Sequence, residues 1–235
     1  MAEAAAEIGL PFVPVDSNIE EHFPRMGFLE TVSFRNCAVA HLLGGGIGRL
    51  VYASGFTYAD VRMPDHGEIS RIDTVLLPLL STGSVTLEPA NAALTRVQKT
   101  LAIADRPERR WLDVCVAPDE DVTNCSRCWK CMRTMLTLDI AGRLDEFCPT
   151  PFRREPYSAR LPSYRAEVLA STDPQCREIV RLAADRGWRW GTAAHLRAIV
   201  LRLRARIHAA ARKLVRKVRR RLPRLWRAPR PTAPR

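Results

Sequence analysis

Apolar and polar positions along the 235 residues change their period several times. Residues 1 to 9 predict a short helix or a frayed end, Pro11-Phe-Val-Pro-Val-Asp16 a short strand with prolines at its margins, and Asn18 to Phe23 the start of a helix. Ser33 to Leu43 is apolar and Ala-rich, which fits a buried helix. It ends at Gly44-Gly45-Gly46, where glycine can supply positive φ. Arg49 to Ser54 and Ser84 to Glu88 are apolar runs of strand length. Helices interleaved with short buried strands predict an α/β domain built on a parallel sheet.

Helical spacing returns in Asn91 to Asp105, through Leu94, Val97, Leu101 and Ile103 or Ala104, and again from Trp129 to Leu144, through Met132, Met135 or Leu136, and Ile140. Prolines at 149, 151, 156 and 162 predict an extended connector. Asp173 to Arg186 predicts one more helix, with Asp173 as its cap and Pro174 in its first turn. From His195 to Trp226, apolar residues from Leu196, Ile199 and Val200 through Leu214 and Val218 to Leu222 and Leu225 recur every three or four positions among arginines and lysines. That pattern predicts one long basic amphipathic helix, with Pro223, Pro229, Pro231 and Pro234 leading into a disordered terminus.

Composition alters this picture in one place. The net charge of +12 suggests a polyanionic partner until it is mapped along the chain. Residues 1 to 185 hold 20 Lys/Arg against 25 Asp/Glu, whereas residues 186 to 235 hold 17 Lys/Arg and no acid, so the basicity belongs to the tail. Residues 186 to 227, with Trp188, Trp190 and Trp226, suit an anionic membrane surface, nucleic acid, or packing on the domain itself or a partner. The uninterrupted apolar runs are too short to span a bilayer. The first residues lack the pattern of a secretory signal, and the cysteine usage fits a reducing compartment. A cytoplasmic protein, peripherally attached to a membrane where the tail binds one, is expected.

Cys115, Cys125, Cys128 and Cys131 follow the order C-x9-C-x2-C-x2-C. The short spacings fold into tight knuckles and the longer loop lets Cys115 swing back, so four thiolates can close around one ion, zinc above all. Such a site is tetrahedral and closed, and its role is to staple the fold. Arg127, Lys130 and Arg133 lie among the ligands and would offset thiolate charge. The alternatives are buried or redox-active thiols, or an iron–sulfur cluster drawing on Cys148-Pro149. Cys37 and Cys176 lie on predicted helices and read as ordinary buried thiols.

The run Asn124-Cys-Ser-Arg-Cys-Trp-Lys-Cys-Met-Arg-Thr-Met135, with Ala141-Gly142 and Phe147, resembles the C-terminal part of 7-cyano-7-deazaguanine synthase-like proteins of the PP-loop ATP pyrophosphatase superfamily. Ser54 to Asp60, Leu77 to Thr82 and Thr95 to Lys99 resemble further segments of that family, and the likeness covers roughly Val13 to Phe147. The resemblance implies an α/β domain of the HUP or PP-loop type that binds ATP and Mg2+ and activates an oxygen for attack by nitrogen, as an ATP-dependent C–N-forming ligase does. It also implies a structural zinc on the four cysteines. The family's Ser-Gly-Gly-x-Asp-Ser phosphate loop is absent from this sequence, and Gly44-Gly45-Gly46-Ile-Gly48 follows a predicted helix instead of a strand. A late start, a partner chain that supplies the loop half, and a member that binds without catalysing all fit, and catalysis by this chain alone is not expected.

Open α/β sheets bind ligands at the carboxyl ends of their strands. Ser54, Thr57, Tyr58 and Asp60 follow the first predicted strand and are candidates for nucleotide or substrate, or for a loop that satisfies its own backbone. Arg96 and Lys99, three apart on one helix face, could reach phosphate or simply face solvent, and Asp65-His66 adds acid–base capacity or forms a surface turn. The organisation expected is a partial α/β domain over 1–110, a zinc-binding helical segment over 111–150, a connector and helix over 151–185, and the basic helix and tail over 186–235.

Overall fold

Strands β1 (Arg49–Ala53) and β2 (Thr86–Ala90) pair in parallel, with Arg49 opposite Thr86 and Ala53 opposite Ala90. This is seen in a computed structural model, which describes residues 1–63, 67–117 and 123–221. Asp65, His66 and the segment from Leu222 through the terminal prolines lie outside the described residues, as does the side chain of Val218. The helices are α1 (Ala2–Glu7), α2 (Phe28–Leu42), α3 (Asp73–Leu80), α4 (Arg96–Ala104), α5 (Trp129–Ile140), α6 (Arg154–Ala170), α7 (Pro174–Asp185) and α8 (Thr192–Arg221). The protein is thus mixed α/β, mainly helical, with a two-stranded parallel sheet among the described residues.

One face of the strand pair, through Leu50, Tyr52 and Leu87, packs with Cys37 and Ala40 of α2 and Leu77 and Leu80 of α3. The other face, carrying Arg49, Val51, Ala53 and Thr86, is exposed. Helix α2 begins five residues before the predicted start, and its buried face is largely polar, with Thr31, Ser33 and Arg35. These groups find partners: the Ser33 hydroxyl donates to Asp73 at 2.6 Å, and Arg35 pairs with Glu20 at 2.8 Å and lies over Phe23. Of the glycines after α2, Gly44 acts by size, since a Cβ there would lie 3.0 Å from both Val85 Cγ2 and the His41 carbonyl oxygen, and none of Gly44, Gly45 and Gly46 has positive φ.

A larger core runs through Val97 and Ala104 of α4, Met132, Met135, Leu136 and Leu138 of α5, Phe147 and Phe152 of the segment between α5 and α6, Tyr157 and Tyr164 of α6, and Ile179 and Ala183 of α7. It crosses the boundaries expected near residues 110 and 150. Two expectations fail. Pro11 to Asp16 is exposed and forms no strand, because its prolines remove donors and no other strand lies beside it. The connector predicted across the prolines is instead the helix α6, which contains both Pro156 and Pro162. Pro156 falls in the first turn, where its missing N–H has no intrahelical role. Pro162 is interior and costs about 3 kcal/mol in an isolated helix. Burial of Tyr157, Tyr164, Ala166 and Val168 offsets it, helped by the Tyr157 hydroxyl donating to Asp139 of α5 at 2.7 Å.

The Asp173 cap is as predicted, with its carboxylate accepting from Gln175 N–H at 2.8 Å. Helix α8 packs against α6, with Ala194 and Ala198 buried. No helix among the described residues is long and apolar enough to cross a membrane.

Candidate metal centre and adjoining cationic pocket

The sulfur atoms of Cys115, Cys125, Cys128 and Cys131 all lie within 4.8 Å of one another and could hold a metal ion. Cys115 Sγ is 3.9 Å from Cys128 Sγ. The knuckle is built by local backbone. Cys125 N–H and Ala117 N–H each donate to Cys115 Sγ at 3.4 Å, and Cys128 N–H donates to Cys125 Sγ at 3.3 Å. Ser126, at φ 58, turns the chain between two of the cysteines, and its buried hydroxyl accepts from Arg153 N–H at 2.9 Å. Buried Asn124 ties three segments together, since its amide accepts from Val114 N–H at 3.0 Å and donates to the carbonyls of Leu112 at 2.8 Å and Pro151 at 3.3 Å.

Cys128 caps α5, which places Cys131 in its first turn, where the helix dipole favours a thiolate. Burial works against the Cys128 thiolate, but N–H groups of Cys131 and Val116 and neighbouring thiols outweigh it and bring the pKa down to about 7. Burial and the Cys128 charge hold Cys131 far above the usual thiol range. A cation among the four sulfurs would favour their thiolate forms. Cys148 is not part of this group, Cys37 is buried on α2, and Cys176 is half-buried on α7.

Beside the knuckle, four cationic side chains converge on a cavity of about 310 Å³: Arg96 and Lys99 from α4, and Lys130 and Arg133 from α5. Thr100, Thr134 and Asp113 supply its other polar lining, so one carboxylate faces four cations. Arg133 is only 9% exposed, and neither its Nε nor that of Arg96 has a hydrogen-bond partner. Burial, and in Arg96 the adjacent Arg133 charge, lowers both guanidinium pKa values, while burial and Arg96 lower that of Lys99. The lining is electropositive, with four cations against Asp113, while the buried Glu178 carboxylate acts on Arg96, Lys99 and Arg133 from outside the cavity; an excess of cations at the lining favours an anion.

The predicted site residues divide in two. Ser54 closes the carboxyl end of β1, with its hydroxyl donating to Ala90 O at 2.8 Å, and Lys99 donates to Ser54 O at 2.9 Å and Oγ at 2.7 Å. Arg96 donates to Gly55 O at 3.4 Å. Thr57 and Asp60 turn to each other, since the Asp60 carboxylate accepts from the Thr57 hydroxyl at 2.8 Å and its N–H at 3.4 Å, and they line a separate cavity with Arg62, Arg177 and Glu178. Tyr58 is exposed.

No family model, curated protein or solved structure matches the chain. Its geometry therefore carries the functional reading. Arg133 departs from the expected role of balancing thiolates. It lies over Trp129 at 4.9 Å and donates to Gln175 of α7, and the carboxylates that act on it are those of Asp173 and Glu178. Gln175 in turn donates to Gly55 O at 2.9 Å, which links the residue after Cys128 to the loop after β1. The spacing of Lys130 and Arg133 carried that signal, because residues three apart share a helix face.

Proposed function

We propose that the chain binds a phosphate-bearing ligand, ATP with Mg2+ being the expected one, in an α/β domain related to the PP-loop superfamily and stapled by zinc on Cys115, Cys125, Cys128 and Cys131. The observation that carries this reading is the convergence of Arg96, Lys99, Lys130 and Arg133 on one cavity, Arg96 and Lys99 also bonding the loop at the carboxyl end of β1. Lys99, fixed on Ser54, would set the distance between the ligand and the strand ends.

Zinc suits the cysteines because a tetrahedron with Zn–S of about 2.3 Å places its sulfurs about 3.8 Å apart, close to the 3.9 Å between Cys115 and Cys128. With four protein ligands the ion is closed to substrate and acts on the fold alone.

A Ser-Gly-Gly-x-Asp-Ser loop is not in this sequence, so this chain would supply binding and a partner the loop. The exposed face of the strand pair supports a partner, because parallel sheets are ordinarily covered on both faces; Val51 on that face is 56% exposed.

Isothermal titration of the zinc-loaded full chain with ATP and Mg2+ tests the proposal. Binding that weakens about tenfold in Lys99→Ala is expected. An absence of heat with ATP and with pyrophosphate, in protein that unfolds cooperatively, would overturn it.

A further inference from the structure

We propose that α8 docks the protein on an anionic lipid bilayer, an interaction independent of the cationic pocket. The helix has two apolar faces of different kinds. Its small face, with Ala194 at 6% and Ala198 at 3% exposure, packs on α6. At about 100° per residue, Leu196, Ile199, Val200, Leu203, Ile207 and Leu214 fall together on the opposite side, and each is 47% to 67% exposed. The packing of the alanines thus fixes the aliphatic stripe so that it faces away from the body of the protein.

The same helical arithmetic places Arg197 and Arg204 along one flank of the stripe and Arg202, Arg206, Lys213 and Lys217 along the other. All six are exposed. On the second flank Arg202 and Arg206 meet Arg177 and Arg181 of α7 around a groove of about 660 Å³ that no acidic residue lines. Residues 186 to 235 contain no Asp or Glu at all.

An apolar stripe between two cationic flanks matches a bilayer interface, where acyl chains take the stripe and anionic headgroups take the flanks. Nucleic acid would neutralise the flanks but leave six aliphatic side chains in water, and the stripe has no aromatic ring on which a base could stack. A second copy would cover the stripe but bring two acid-free cationic flanks together. The charge pattern and the stripe are both satisfied by anionic lipid.

The test is co-sedimentation of the zinc-loaded full chain with vesicles of phosphatidylcholine alone or with roughly 30% phosphatidylserine, in about 0.15 M salt. Partitioning about tenfold stronger onto the phosphatidylserine vesicles is expected. Leu203→Asn with Ile207→Asn should abolish it while leaving the melting temperature unchanged, because both side chains point to solvent. No preference for phosphatidylserine overturns the proposal. Vesicle binding that survives the double substitution also overturns it and, with tight binding to a 30-base-pair duplex, assigns the helix to nucleic acid. A dimer in sedimentation velocity that the double substitution dissolves assigns the stripe to a second copy.

Discussion

The Lys99 ammonium stands 2.7 Å from the Ser54 hydroxyl and 2.9 Å from the Ser54 carbonyl oxygen, so one side chain joins α4 to the carboxyl end of β1. Its pKa is lowered by burial first and by the Arg96 charge second. A bound phosphate would reverse that shift by favouring the ammonium. Affinity for ATP or pyrophosphate is therefore expected to fall at a lower pH than an ordinary lysine would give as the solution is made alkaline. Titrations between about pH 7 and 10 measure this, and Lys99→Arg, which stays charged, should flatten the profile.

The metal prediction separates ligands from bystanders. Wild-type protein is expected to carry one zinc per chain, and Cys148→Ser should retain it, since Cys148 lies outside the grouped thiols. Cys128→Ser should lose the metal and melt roughly 10 °C lower, equivalent to about 3 to 5 kcal/mol in a chain of this size. Elemental analysis with thermal unfolding decides it. Iron with labile sulfide, or a metal content that depends on Cys148, would refute the closed zinc staple.

Asp73 is 1% exposed, accepts one hydrogen bond from Ser33, and leaves Oδ2 without a partner. Burial raises its pKa, Ser33 lowers it, and Glu68 raises it further, with a net upward shift. A carboxyl whose folded pKa is raised contributes its stability fully below the unfolded value of about 3.9 and loses it as pH rises through the folded value. Asp73→Asn keeps the acceptor for Ser33 and cannot ionise. It should match wild type near pH 4 and exceed it by about 1 kcal/mol at pH 7. Paired denaturant titrations at the two pH values test this, and equal stability at pH 7 would show that Asp73 folds as a solvated carboxylate.

Pro162 sits in the interior of α6. Replacing it with alanine restores an N–H for the preceding turn and removes a ring from the helix, so Pro162→Ala should stabilise the protein by about 1 to 3 kcal/mol. A melting temperature at or below wild type would mean that α6 depends on the bend.

Much of this architecture was readable locally. β1 is a short apolar run and β2 overlaps one, starting two residues after Ser84, α7 begins at a capping Asp173 followed by Pro174, and the C-x9-C-x2-C-x2-C spacing brought forward the four cysteines that lie together. Each is a short-range property: a turn, a cap, or ligands joined by brief loops. Sequence spacing also put Arg96 with Lys99 on one helix face. Helix α6 was hidden because prolines oppose helix formation locally, while Tyr157, Leu161, Tyr164 and Val168 keep its period and find their core only after folding.

The cationic pocket belongs to the tertiary structure. A helix pattern says which residues share a face, not which face meets another, and packing α4 on α5 is what brings Arg96 and Lys99 opposite Lys130 and Arg133. Tertiary contact likewise set the direction of α8, whose sequence supplied two apolar faces. The alanine face allows close approach to α6 and became buried, and that packing turned the larger aliphatic face toward solvent.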